Sequence, residues 1–118
     1  MRAFSTHCDV VCEPNGFVDI TDDIKHAVAA AGISSGRATV ISRRPGCTIF
    51  LNENESGLKQ DLVDAFARLG PDGKTTTQVG SSSAVMPVVD GDLWMGDWQR
   101  VIAHLEDPSD VMIHVWGV

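Results

Sequence analysis

The sequence predicts an α+β fold, mainly antiparallel, in which two helices cover a sheet or sandwich. Two observations carry this. Apolar residues recur at helical spacing in only two segments. The other apolar residues fall in short runs, joined by Gly, Pro, Asn and Asp, as in hairpin-connected strands. The order β-α-β-β-α-β-β-β-β ends in a run of strands, which a strictly alternating parallel sheet would not do.

The first element spans Ala3 to Glu13, where Phe4, Thr6, Cys8, Val10 and Cys12 share one parity and Ser5, His7, Asp9 and Glu13 the other. That is the period of a half-buried strand, with Cys8 and Cys12 toward the core. Glu13-Pro14-Asn15-Gly16 is turn chemistry. Thr21, followed by Asp22 and Asp23, reads as a capping hydroxyl with acids suited to the positive end of a helix. Ile24, Ala27, Val28 and Ala31 then give one helical face, and Gly32 the stop. Arg37 to Ser42 and Cys47 to Asn52 read as strands around the tight connection Arg43-Arg44-Pro45-Gly46. In the second strand Ile49 and Leu51 oppose Phe50, so both faces are covered. Ser56 to Leu69 is the second helix, with Ser56 as its cap, an apolar stripe of Leu58, Leu62, Ala65, Phe66 and Leu69, and Gly70-Pro71 as its end. The polar stretch Asp72 to Ser83 reads as a loop. Strands follow at Ala84–Val89, Leu93–Met95, Trp98–Leu105 and Val111–Trp116, the first two joined by the hairpin signal Asp90-Gly91.

A chain of 118 residues is one domain, 1–118. Its 9 Lys+Arg against 16 Asp+Glu give a net charge of −7, which disfavours nucleic acid and anionic membrane as partners. No apolar run reaches the roughly 18 residues of a membrane span. His7, Asp9 and Glu13 interrupt any apolar signal segment near the start. Three cysteines without a CxxC pair make neither a disulfide framework nor a zinc motif, and a reduced cytoplasmic setting is expected.

Several groups of residues carry possible chemistry. Asn52-Glu53-Asn54-Glu55 leaves a strand and enters a helix, so its oxygen atoms could serve a polar ligand or a hard cation such as Mg²⁺. The plainer alternative is a solvated helix start. Arg43-Arg44 is the one paired basic site, suited to phosphate or carboxylate, against the alternative of an exposed turn. Cys47, close to Arg44, is the only thiol with a candidate activator, although buried inert thiols are the commoner case. His7, His26, His104 and His114 form no zinc pattern; His104 and His114 approach each other only if their strands pair. Trp94, Trp98 and Trp116, with Met86, Met95 and Met112, concentrate in the last third as core, as subunit interface, or as the wall of a ring-binding pocket. Ser56-Gly57-Leu58-Lys59 matches an S-x-x-K pattern, but the companion segments of penicillin-binding enzymes are missing.

Several of these pieces together resemble the YjbQ-like, or secondary thiamine-phosphate synthase, family. They are Gly16-Phe17-Val18-Asp19-Ile20-Thr21; Ile49-Phe50-Leu51-Asn52-Glu53-Asn54-Glu55 with Asp61; Pro71-Asp72-Gly73; and Pro87-Val88-Val89-Asp90-Gly91-Asp92-Leu93 running into Gly96-Asp97-Trp98-Gln99-Arg100. The resemblance implies a compact α+β fold, a cytoplasmic homotrimer with a pocket near subunit contacts, and a transferase reaction. That reaction joins hydroxymethylpyrimidine diphosphate to a thiazole phosphate. Arg43 and Arg44 would then hold phosphate oxygens, and Asn52, Glu53 and Asn54 would orient substrate or Mg²⁺. Gln99 would add a polar contact, Trp98 would form a wall, and Asp61 would be structural. Glu53 and Arg44 are the catalytic candidates. The chain departs from the family where Arg44-Pro45-Gly46 replaces a His-Thr-Thr run, where 74–83 lacks histidine, and where His104-Leu105-Glu106 stands near a Glu-His pair. Because arginine stays protonated, it suits anion binding better than base catalysis. The alternative function is a non-catalytic homotrimeric module that binds a small anionic ligand or a protein partner.

Overall fold

The computed structural model describes residues 1–11, 13, 16–69 and 80–118. Cys12, the Pro14-Asn15 part of the first turn, the Gly70-Pro71 helix stop, the Pro71-Asp72-Gly73 match and the loop up to residue 79 lie outside the described residues.

The elements run β1 (Arg2–Val10), β2 (Gly16–Asp19), α1 (Thr21–Ala31), β3 (Ser35–Ile41), β4 (Cys47–Asn52), α2 (Ser56–Leu69), β5 (Ser83–Val89), β6 (Asp92–Leu93), β7 (Arg100–Leu105) and β8 (Ser109–Gly117). Two antiparallel sheets form, with orders β1-β8-β3-β5-β6 and β2-β7-β4. The predicted α+β class with two helices is therefore present. The short strand β2 is an addition that four residues could not announce by periodicity. The expected strands at 93–95 and 98–105 shrink to Asp92–Leu93 and Arg100–Leu105, leaving Trp94 to Gln99 as a connection.

Alternation decides which face of each strand is buried. In the larger sheet Val10, Val111, Ile113, Val115, Ala38, Val40, Met86, Val88 and Leu93 point inward. Ile24, Ala27 and Val28 of α1 join them, as do Cys47, Ile49, Val101, Ala103 and Leu105 from the smaller sheet. One core thus lies between the large sheet on one side and α1 with the small sheet on the other. No residue of α2 belongs to it.

Two helix starts differ from the sequence reading. Thr21 does not cap α1: its hydroxyl accepts the buried Val101 N–H at 2.8 Å, while the Asp19 carboxylate takes the Thr21 N–H at 3.0 Å. Ser56 does not cap α2 either; the Glu55 carboxylate accepts the Gly57 and Leu58 N–H groups, each at 2.7 Å. Carboxylates win at these positions because they place full negative charge on the unpaired amides of a helix start. Gly32 ends α1 in the left-handed region, as expected, and Asp90 (φ 52°) and Gly91 (φ 79°) make the β5–β6 turn.

Candidate functional site

The small sheet positions the candidate residues. In its ladders Asn52 faces Arg100, Phe50 and Asp19 flank Ile102, and Thr48 and Phe17 flank His104. These residues share the face turned away from the core. One end of that face is polar and charged, and the other is aromatic.

At the polar end Arg100 reaches Asp19 with Nε 2.6 Å from Oδ2, and its Nη2 lies 3.3 Å from Asp22. Asn54 donates to the same Asp19 oxygen at 3.4 Å. Burial pushes the Asp19 carboxyl up, but the Arg100 guanidinium and the Thr21 N–H outweigh it and hold it below its ordinary value. Asp19 in turn raises the Arg100 guanidinium further. Asn52 is half-buried, and its Oδ1 accepts the Glu53 N–H at 2.9 Å. Glu53 is exposed. Gln99 Oε1 accepts the Gly96 N–H at 2.8 Å and closes the turn that carries Trp98, whose side chain is 78% exposed. Asn52, Glu53, Asn54, Trp98 and Gln99 therefore gather at one end of the sheet. They make no ready cation cage: Asn52 Oδ1 is engaged, and among the described residues no three His, Cys, Asp or Glu side chains come together as metal ligands.

Arg43 and Arg44 are elsewhere. They precede β4, whereas Asn52 ends it, and five strand steps put roughly 17 Å between the ends of β4. Both arginines are exposed; Arg43 lies 3.8 Å from Asp110, and the Arg44 N–H donates to the buried Ser42 hydroxyl at 3.2 Å. They stand between two open clefts. One, of about 570 Å³, also presents Asp9 and Asp110. The other, of about 360 Å³, is lined among the described residues by Ser42, Arg43, Arg44, Pro45, Gly46, Cys47, Gly80 and Ser82, and the Glu106 carboxylate packs against Gly46, where a Cβ would stand 2.6 Å from it. Gly46 can bend there with φ 80°, and its carbonyl accepts the Glu106 N–H at 3.0 Å.

The other nucleophile and acid–base candidates divide by burial. Cys47 is buried at 7% exposure. Cys8 is half-buried, and burial with the neighbouring Asp23 carboxylate pushes its thiol up to about 11, so it stays protonated. His104 and His114 sit in different sheets and do not pair; His114 Nδ1 instead meets the Ser5 hydroxyl at 2.7 Å. Trp94, Trp98 and Trp116 are at least 38% exposed, which takes them out of the core.

Sequence reading missed the Asp19–Arg100 pair and the burial of His104. Asp19 and Arg100 are 81 residues apart, and each was visible only as part of its own segment.

A match to the family described as UPF0047 protein YjbQ-like spans residues 7–116. A UPF0047 protein of Methanothermobacter thermautotrophicus is 30% identical over 113 residues, covering 83% of this chain and 79% of its own. One of Archaeoglobus fulgidus is 29% identical over 100 residues, covering 72% and 76%. A crystal structure of a YbjQ-like protein of unknown function from Sulfolobus solfataricus superposes with a TM-score of 0.92 at 20% identity, over 99% of each chain. A YjbQ/UPF0047 protein of Clostridium acetobutylicum gives a TM-score of 0.88 at 20% identity, over 94% of this chain and 99% of its own.

Proposed function

The chain belongs to the UPF0047 YjbQ-like family, and on that footing we propose that it binds a small phosphorylated or otherwise anionic ligand in the cleft beside Arg43 and Arg44. The observation that carries this reading is the composition of the 360 Å³ cleft: the Arg43 and Arg44 guanidiniums beside two serines and glycine backbone, with no carboxylate among the described residues that line it. In a chain of net charge −7, two adjacent exposed arginines are a place where an anion meets attraction, with Asp110 beside Arg43 and Glu106 beside Gly46 as the opposing charges. Guanidinium groups offer paired N–H donors to phosphate oxygens. Isothermal titration with inorganic diphosphate tests it. Arg43→Ala with Arg44→Ala should weaken binding by about tenfold or more, since each lost charge-assisted hydrogen bond is worth about 1.5–3 kcal/mol. Equal affinity in both proteins would sink the reading.

A second reading rests on the opposite end of β4. There the residues of the Asn-Glu-Asn and Gly-x-Trp-Gln segments stand together beside Asp19 and Arg100. This supports a polar pocket for the coupling of hydroxymethylpyrimidine diphosphate to thiazole phosphate. In that reaction a carbon–nitrogen bond forms and diphosphate leaves, and the work is positioning and charge stabilisation. Glu53, Asn52 and Asn54 would orient the substrate, Trp98 would cover its ring, and Gln99 would add a polar contact. Arg44, with Arg43, would take the leaving diphosphate. Because the two ends of one β4 are roughly 17 Å apart, this reading requires a homotrimer that sets one protomer's arginines near another's polar end. The test is thiamine-phosphate formation with Mg²⁺ and both substrates. Turnover that an Arg44→Ala variant loses would support it. No turnover, while a family member with an intact His-Thr-Thr run works, would leave ligand binding alone.

The homotrimer has its own support. The outer face of the large sheet carries Ile41, Val85, Val89, Met112 and Trp116, each 37–58% exposed. Ile41 lies directly opposite Met112 in the ladder, and Arg37 covers the Trp116 ring at 4.9 Å. An apolar sheet face of this kind is what a subunit contact would bury.

A further inference from the structure

Helix α2 has an unusual attachment. None of its side chains is fully buried, and it contributes nothing to the core. It starts beyond the end of β4 and returns over the outer face of the small sheet. Ten residues of helix rise carry Phe66 roughly 15 Å. Four strand steps back from Asn52, roughly 13 Å, reach Thr48 and its ladder partner His104. The two lengths match, and Phe66 stacks on the His104 ring at 5.5 Å with 27° between planes. On its other side His104 meets Phe17 at 4.4 Å, and Phe17 meets Phe50 edge-on at 6.3 Å.

His104 is thus an imidazole between two phenyl rings, only 5% exposed. Its Nδ1 has no hydrogen-bond partner among the described residues. Whichever nitrogen carries the proton in the neutral ring, the cation must present two N–H groups, one of them at Nδ1. A buried donor without an acceptor is costly, and more so when charged. Of the two aromatic walls, Phe17 is fixed by the β2–β7 ladder, whereas Phe66 rides on a helix with no fully buried side chain. Opening at α2 is therefore the cheapest way for water to reach the ring.

We propose that α2 is a pH-sensitive flap latched by the Phe66–His104 stack, and that protonation of His104 releases the helix from the small sheet. The groups facing the ring agree with this. Phe17 of β2, Thr48 of β4 and Phe66 of α2 are not titratable, and the charged pair Asp19–Arg100 stands at the far end of the same face. Glu106, just past β7, and a backbone hydrogen bond at Gly16 favour the cation, but burial outweighs them and holds the imidazole below its ordinary 6.5. The closed state therefore binds fewer protons than the open one. Its advantage is whole above 6.5 and is lost as pH falls from there through the lowered value. Each unit of depression shifts the closed–open balance about tenfold.

Hydrogen exchange of the whole chain, read at about pH 7.5 and about pH 5 and corrected for intrinsic rates, tests the latch. In the unaltered protein, protection of α2 amides should fall at the lower pH while β7 and β8 hold. His104→Phe keeps the stack without the titration, so α2 should stay protected at both values. Phe66→Ala should expose α2 at both. Equal α2 protection at the two pH values in the unaltered protein, or an unchanged pH response in His104→Phe, overturns the proposal. Should His104→Phe fail to fold, ring-proton NMR of the unaltered protein decides. Amides of α2 that shift with the His104 midpoint support the latch, and amides that stay still through it refute it.

Discussion

Asp19 carries three jobs with two oxygens: it takes the first amide of α1, the Arg100 guanidinium and the Asn54 side chain. Its side chain is 17% exposed, so these partners replace most of its water. Asp19→Ala should cost about 2 kcal/mol in denaturant unfolding, the scale of hydrogen bonds to a charged group. The pH dependence follows from its lowered carboxyl. That stabilisation is complete above the ordinary value of 3.8 and disappears as pH falls through the depressed one, because only then does the folded state take up the proton. Stability of the unaltered protein should therefore fall more steeply in strong acid than that of Asp19→Asn; superimposable acid limbs would contradict the assignment. Both residues were legible as members of motif segments, Asp19 after Val18 and Arg100 after Gln99. Their pairing was not, because hydrogen-bond partners 81 residues apart leave no local trace.

Among the elements, the pairing of β3 with β8 depends on a glycine facing a glycine. Gly36 lies opposite Gly117, and a Cβ on Gly117 would stand 2.1 Å from the Ser35 carbonyl oxygen. Backbone cannot yield as a side-chain tip can. Gly117→Ala should therefore destabilise by about 3 kcal/mol, at the upper end of overpacking costs, and thermal melting measures it; an unchanged melting temperature would mean that the strands slide apart freely. Element type was readable where the period was long. Helix α1 shows its four apolar positions and its glycine stop in the sequence, and β1 and β8 show their alternation. Strand β2 did not show, having four half-buried residues. Helix α2 was also placed in sequence, but of its expected stripe Ala65 and Leu69 are exposed and Leu58, Leu62 and Phe66 half-buried, since periodicity says only that a face exists. It does not say how much of that face will be covered, and here the cover is slight.

For the molecule as a whole, the two sheets divide labour. The small sheet bears both candidate ends and the His104 stack, while the large sheet encloses the core and offers its apolar outer face. If that face joins protomers, Val85→Lys (58% exposed in the single chain) should convert a trimer into monomers in sedimentation without loss of circular dichroism. A monomer already in the unaltered protein would end the trimer reading. The sequence alone was enough for the fold class, both helices, most strands and the family resemblance, since these rest on local period, turn chemistry and short motifs. It also showed which segments were rich in polar chemistry. Only the tertiary structure decided that Arg43-Arg44 and Asn52-Glu53-Asn54 sit at opposite ends of β4, that a carboxylate rather than a hydroxyl begins each helix, and that His104 is sealed between Phe17 and Phe66. The physical reason is common to all three. Periodicity places a residue on a face of its own element, whereas its partners are set by strand register and by the path of the chain between elements, which are settled by the burial of the whole core at once.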